Sequence, residues 1–286
     1  MRGISSGLRA CVVLGTVAAA TSSASAAAGF YEPFNYTVGS TLASQPLWDE
    51  PLDANDNNVL DTIQSGSLTF GSLSTSGNSV RTFGKYSVDD YVGGSDVDPN
   101  SYVGGDGNTI WFSFLLRQEV VGSGGAAGAD YGGLVLGRDG AAPDNQVFIG
   151  KPGGVTGAGQ YVLEALDGVP QSSSGVNAVF GQTAFLVASI TFHTAATAVD
   201  NISLYVNPTP GGVLSSPQAT LNLELSDPVG GFNDWYFSAG ANAQWTFDEL
   251  RIGASFADVS PIPEPAGGLL ALSAGALALA RRRRGM

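Results

Sequence analysis

Period-two alternation of apolar and polar residues governs what this chain can build. In TIWFSFLLRQ, Ile110, Phe112, Phe114 and Leu116 fall on one side of an extended chain. In TAFLVASITFH the same side collects Ala184, Leu186, Ala188, Ile190 and Phe192, and in NISLYVNP it collects Ile202, Leu204 and Val206. ATLNLELSDP puts Leu221, Leu223 and Leu225 inward and Asn222 and Glu224 outward. Successive side chains of a strand point to opposite faces, so this pattern predicts half-buried strands. YGGLVLG, NQVFIG, QYVLEAL, WYFSAG and FDELRIG read the same way. Clusters of Gly, Pro, Asn and Asp separate these runs, as turns require. Pro208 and Pro210 stop the LYVN strand, because proline donates nothing to a ladder. No part of the body keeps a helical period. The expected fold is all-β, a two-sheet jelly-roll sandwich spanning residues 27–258.

The first residues predict export. Arg2 and Arg9 precede an apolar stretch from Ala10 to Ala20, and Ala24-Ser25-Ala26 offers a small-residue cleavage site for signal peptidase. Residues 1–26 are expected to leave as a signal peptide. Cys11 is the only cysteine and would leave with it, so the body would carry no disulfide.

Charge is placed unevenly. Only Arg81, Lys85, Arg117, Arg138, Lys151 and Arg251 lie between the termini, against all 25 carboxylates. An acidic body of this kind repels nucleic acid and anionic headgroups, and no nucleic-acid partner is expected. The remaining arginines end the chain. After a proline-rich spacer, 259–265, Gly267 to Ala280 is a run of apolar and small residues, followed by Arg281, Arg282, Arg283 and Arg284. As a helix that run spans about 21 Å, short of the roughly 30 Å hydrocarbon core. It is expected to be a marginal transmembrane helix whose arginines stay cytoplasmic.

Chemistry is sparse. Retaining glycan hydrolysis uses two carboxylates about 5 Å apart, which E-x-D-x-E on one strand would supply. That pattern is absent. Asp248 and Glu249 are adjacent, so a regular strand would send them to opposite faces, and Glu249 would pair with Arg251. His193 is the one histidine, at a strand end, and reads as a loop residue. The serines at 172–174 have no base in sight. Two acidic loops could hold calcium, one through Asp53, Asn55 and Asn57, the other through Asp96, Asp98 and Asn100. The first fails as an EF-hand, because Asn58 replaces the turn glycine and Gln64 replaces the bidentate glutamate. Both loops also read as plain turns. Trp48, Trp111, Trp235 and Trp245 would pack in the core, or stack on sugars if exposed.

Two resemblances add to this. FYEPFNYTVGSTLASQ, FLVASITFH with ISLYVNPTPGG, and TFDELRIGASFADVSP resemble exported bacterial proteins with a concanavalin A-like, laminin-G-like sandwich. The likeness implies that the opening and closing strands lie near one another in one sheet. The tail (Pro263, Glu264 and Pro265, then the apolar run of 266–286 and its arginines) resembles the PEP-CTERM sorting signal. That resemblance implies an exosortase-type transpeptidase as partner and transient residence in the inner membrane of a Gram-negative bacterium. It further implies a final place on the cell surface or in an exopolysaccharide matrix. The expected function is a non-enzymatic surface or matrix protein, with a lectin-like glycan-binding module as the alternative and a glycan hydrolase behind both.

Overall fold

The computed structural model describes residues 29–45, 48, 61–83, 103–104, 106–120, 130–137, 146–153, 159–166, 168–193, 199–225, 231–232, 234–240 and 243–262. The all-β expectation holds there. The strands are β1 (Phe30–Glu32), β2 (Thr62–Gln64), β3 (Ser79–Phe83), β4 (Val103–Gly104), β5 (Thr109–Val120), β6 (Gly132–Gly137), β7 (Val147–Lys151) and β8 (Gln160–Ala165). They continue with β9 (Gln171–Asn177), β10 (Thr183–Thr191), β11 (Asp200–Val206), β12 (Ala219–Leu223), β13 (Gly231–Phe232), β14 (Asp234–Ala239) and β15 (Gln244–Gly253). Among the described residues, helix is confined to a 3-10 turn at Leu42–Ser44 and a single turn, α1 (Phe256–Val259). The Ser255 side chain caps α1 by accepting from the Asp258 amide.

Two antiparallel sheets make the layers. The eight-stranded sheet runs β12, β11, β10, β5, β15, β3, β2, with β1 also paired to β15. The five-stranded sheet runs β14, β6, β7, β8, β9. A two-stranded ribbon, β13 with β4, completes the set. The opening and closing strands do meet, as Phe30 lies opposite Ile252 and Glu32 opposite Leu250. One edge of β15 is taken by β5; the other is shared by β3 along Gln244–Phe247 and by β1 along Leu250–Ile252.

The alternating residues read from the sequence form the interior. Ile110, Phe112, Phe114, Leu116, Leu186, Ile190, Ile202, Leu204 and Leu221 are buried in one cluster with Leu134, Ile149, Leu163 and Phe237 of the five-stranded sheet. Each large apolar side chain buried this way contributes about 1.5–3 kcal/mol. Phe237 and Phe247 join the layers, their ring centroids 4.3 Å apart. Trp48, Trp235 and Trp245 are core residues. Gly132 leaves room for the Trp245 indole, whose ring atoms would lie 2.4 Å from an added Cβ.

The eight-stranded sheet also buries part of its outer face. Leu68 and Leu73, from the connection between β2 and β3, and Val259 of α1 pack on Leu115, Phe185 and Val187. Trp111 stands on this outer side, half-buried, with Tyr205 stacked at 5.8 Å and Phe256 tilted at 6.1 Å.

Candidate functional site

The outer face of the five-stranded sheet joins polar side chains that sequence reading left unassigned. Register carries one row across it, Tyr236, Val135, Phe148, Glu164 and Gln171, and a second, Ser238, Gly133, Gly150, Val162 and Ser173. Toward β14 the face is apolar and covered: Val135, Phe148, Val162 and Tyr236 are buried together. Toward the β8–β9 margin it is open and polar, with Ser173 and Asn177 exposed and Gln160, Glu164 and Gln171 half-buried.

That margin is hydrogen-bonded to itself in a way that sets its chemistry. Gln171 Nε2 donates to Glu164 Oε2, and Ser173 Oγ donates to Gln160 Oε1 at 2.5 Å. Each bond fixes one end of a glutamine amide. The other ends, the Gln160 amino group and the Gln171 carbonyl oxygen, point no hydrogen bond at any described residue. A fixed donor and a fixed acceptor at separate positions along one strand pair suit separate hydroxyls of one extended ligand, since hydroxyls both give and take hydrogen bonds. Lys, Arg and His are absent from the described residues of this face. Lys151, at the end of β7, is engaged by Asp130 at 2.6 Å. The margin therefore favours an uncharged, hydroxyl-rich ligand over an anionic one.

Asp248 and Glu249 correct the sequence reading. A β-bulge interrupts the β15–β5 register between Asp248 and Arg251, and Glu249 takes φ +56°. The extra residue restores Leu250 to the inner face after Phe247, so both carboxylates stand on the outer side. The bulge falls where β15 passes from β3 to β1. Both acids are fully buried under the β2–β3 connection. Asp248 accepts from the Leu68 amide at 2.6 Å and from the Glu249 amide at 2.7 Å. Glu249 accepts from the Ser76 amide at 2.6 Å and the Tyr31 hydroxyl at 3.1 Å, and pairs with Arg251 as expected. Arg251 also donates to Ser74 O at 2.8 Å and lies under the Tyr31 ring. Burial, then the neighbouring Glu249, push the Asp248 carboxyl up to about 8 against the pull of its donors. This cluster pins a loop, and neither acid is open to a substrate.

The other residues weighed for chemistry are structural. His193 is half-buried, its Nε2 3.0 Å from Asn201 Nδ2. Ser174 Oγ accepts from the Val176 amide at 3.1 Å. Gln64 belongs to β2 and donates to Thr62, consistent with the failed EF-hand. The signal-cleavage residues Ala24 and Ala26, both calcium loops (Asp53, Asn55, Asn57; Asp96, Asp98, Asn100), Pro263, Glu264, Pro265 and Arg281–Arg284 lie outside the described residues. Among the described residues, no group of three acidic, His or Cys side chains could hold a metal, and no helix is long and apolar enough to cross a membrane.

No protein-family model matches the chain. No curated protein matches it. Solved structures similar to it include an endo-β-1,4-glucuronan lyase from the fungus Trichoderma reesei, at 12% identity over 81% of this chain and 98% of that one, with TM-score 0.47. The cellulose-induced protein Cip1 is 10% identical over 79% and 97%, TM-score 0.44. The lectin UEA-II, in complex with galactose, is 9% identical over 80% and 99%, TM-score 0.40. Similarity at this level carries no statement about activity or ligand.

Proposed function

We propose that this chain is an exported surface or matrix protein that holds polysaccharide without cutting it. The β8–β9 margin carries the reading: two glutamine amides, locked by Glu164 and Ser173, offer a fixed donor and acceptor on an open face whose described residues include no cation. Locked side chains lose little freedom on binding, so such a margin suits repetitive, weak contacts with a polymer. Among the described residues, no pair of carboxylates free to reach one sugar stands beside it. Glycoside hydrolysis needs two carboxylates able to reach one sugar. Glu164 is held by Gln171, and the Asp248–Glu249 pair is buried on the other sheet.

Affinity electrophoresis of the signal-free protein in gels of neutral glucans tests this. Retardation is expected in at least one neutral polysaccharide, with no reducing ends released. Gln160→Ala with Gln171→Ala is expected to weaken it about tenfold, or about 1.4 kcal/mol. Retardation unchanged by the double substitution, or release of reducing ends, would overturn the reading. The same gels run with calcium and then chelator address the acidic loops: binding or melting that shifts with calcium supports a site at Asp53, Asn55, Asn57 or Asp96, Asp98, Asn100.

The route to the surface is part of the proposal. Signal peptidase would cut after Ala26, and a transpeptidase of the exosortase type would cut near Pro263-Glu264-Pro265 at the inner membrane. The packed body supports a cut there. Ser260 Oγ accepts from the Gly211 amide and Pro261 O from the Ser74 amide, while Ile262 is already exposed. The last of these bonds is made by Pro261, two residues before Pro263. Mass spectrometry of the surface form from the native host is expected to show loss of Ala266–Met286. A surface form retaining them would make the tail a permanent anchor.

A further inference from the structure

The far end of the eight-stranded sheet gathers two of the few cations of this acidic chain. Arg81 of β3 lies opposite Thr246 of β15, and Thr246 lies opposite Arg117 of β5. All three converge on Glu119. Its Oε1 accepts from Thr246 Oγ1 at 2.6 Å and from Arg117 Nε at 2.7 Å, and stands 3.7 Å from Arg81 Nη2. Two guanidiniums therefore share one carboxylate, and the spot keeps a positive charge. Both arginine side chains remain about a third exposed, at 29% and 32%.

Arg81 is the unfinished member. Its contact with Glu119 is beyond hydrogen-bond length, and its Nε is buried without an acceptor. A guanidinium carries five donors in a planar fork, and the part-exposed head of Arg81 keeps donors that Glu119 does not meet. Apolar surface lies at the same end. The turn before β10 exposes Val179 and Phe180, and Val120 at the end of β5 is exposed as well. Register places the turn beside the end of the Arg117 strand: Gly181 N donates to Gln118 O at 3.0 Å, and Thr183 lies opposite Arg117.

We propose that this end, built from Arg81, Arg117, Thr183 and Phe180, binds the carboxylate-bearing sugar of an acidic polysaccharide. The carboxylate takes the fork of Arg81, which a planar two-oxygen acceptor matches bidentately. The C–H face of the sugar ring lies against Phe180 and its valine neighbours. A free phosphate has no apolar face to use these residues. The site is on the sheet opposite the β8–β9 margin and takes a different sugar class, so the two readings fail separately.

Affinity electrophoresis of the signal-free protein in polygalacturonate, hydroxyethylcellulose and dextran sulfate gels tests it, with poly-glutamate as competitor. Expected is retardation in polygalacturonate, weakened at least tenfold by Arg81→Gln, partly restored by Arg81→Lys, and unmoved by Gln160→Ala with Gln171→Ala. The Arg81 side chain makes no hydrogen bond to a described residue and its ion pair with Glu119 is long and part-exposed, so Arg81→Gln should melt within a few degrees of wild type. Absence of retardation in polygalacturonate, or equal retardation of Arg81→Gln, overturns the proposal. Dextran sulfate binding as tightly, or full displacement by poly-glutamate, reduces the site to a general anion contact and overturns the sugar assignment.

Discussion

Replacing Arg251 by alanine is expected to cost about 3–5 kcal/mol of folding stability, the usual penalty for stranding one partner of a buried ion pair. Glu249 is fully buried and Arg251 nearly so. The guanidinium does three things at once: it neutralises Glu249, donates to Ser74 O, and supports the Tyr31 ring. Alanine leaves Glu249 facing only an amide and a phenol. Guanidinium denaturation followed by tryptophan fluorescence measures the change. Glu249→Gln combined with Arg251→Met removes both charges and is expected to be less damaging than Arg251→Ala alone. A loss below about 1 kcal/mol in the single variant would mean that the pair is effectively solvated, as surface pairs are.

Stability is expected to fall as pH rises from about 5 to 7, and Asp248 is the main reason. Its carboxyl titrates near 8 in the folded chain and near 3.9 when unfolded. The folded state therefore binds the extra proton across that window. The contribution is complete below about pH 4 and is lost as pH climbs through about 8. Between pH 5 and 7 the slope from one such group is about 1.4 kcal/mol per unit, or roughly 2–3 kcal/mol in all. Asp200 is raised as well, chiefly by burial, and adds a slope of the same sign. Asp248→Asn cannot titrate, so its unfolding free energy should vary less between pH 5 and 7 by about that amount. Parallel curves for wild type and Asp248→Asn would show that the N–H donors to Asp248 outweigh burial.

The core was legible because alternation is a local signal. Ile110 to Leu116 and Ala184 to Phe192 announce their inner faces without knowledge of any partner, and each of these residues lies in the core cluster. Strand β9 was missed for the complementary reason. QSSSGVN has one apolar residue, and it is a strand because β8 offers it a ladder, with Glu164 opposite Gln171. The candidate margin was hidden with it, since Gln171 meets Glu164 and Ser173 meets Gln160 only through that pairing. The faces of Asp248 and Glu249 were misread because a bulge depends on tertiary contact. Nothing in FDELRIG reveals that β15 changes partner between β3 and β1. Arg81 and Arg117 likewise meet across three strands that sequence distance separates.

The pairing of the first strand with the last also constrains how the chain comes to be folded at all. β15 lies between β5 on one side and β3 with β1 on the other, so the eight-stranded sheet has no middle until the final strand arrives. Such distant pairings close late, and all-β topologies of this kind fold in milliseconds to seconds. A nascent chain that has not yet delivered Gln244–Gly253 holds β5 without its principal neighbour. The sheet therefore locks only once Gln244–Gly253, the last of the described strands, has been made.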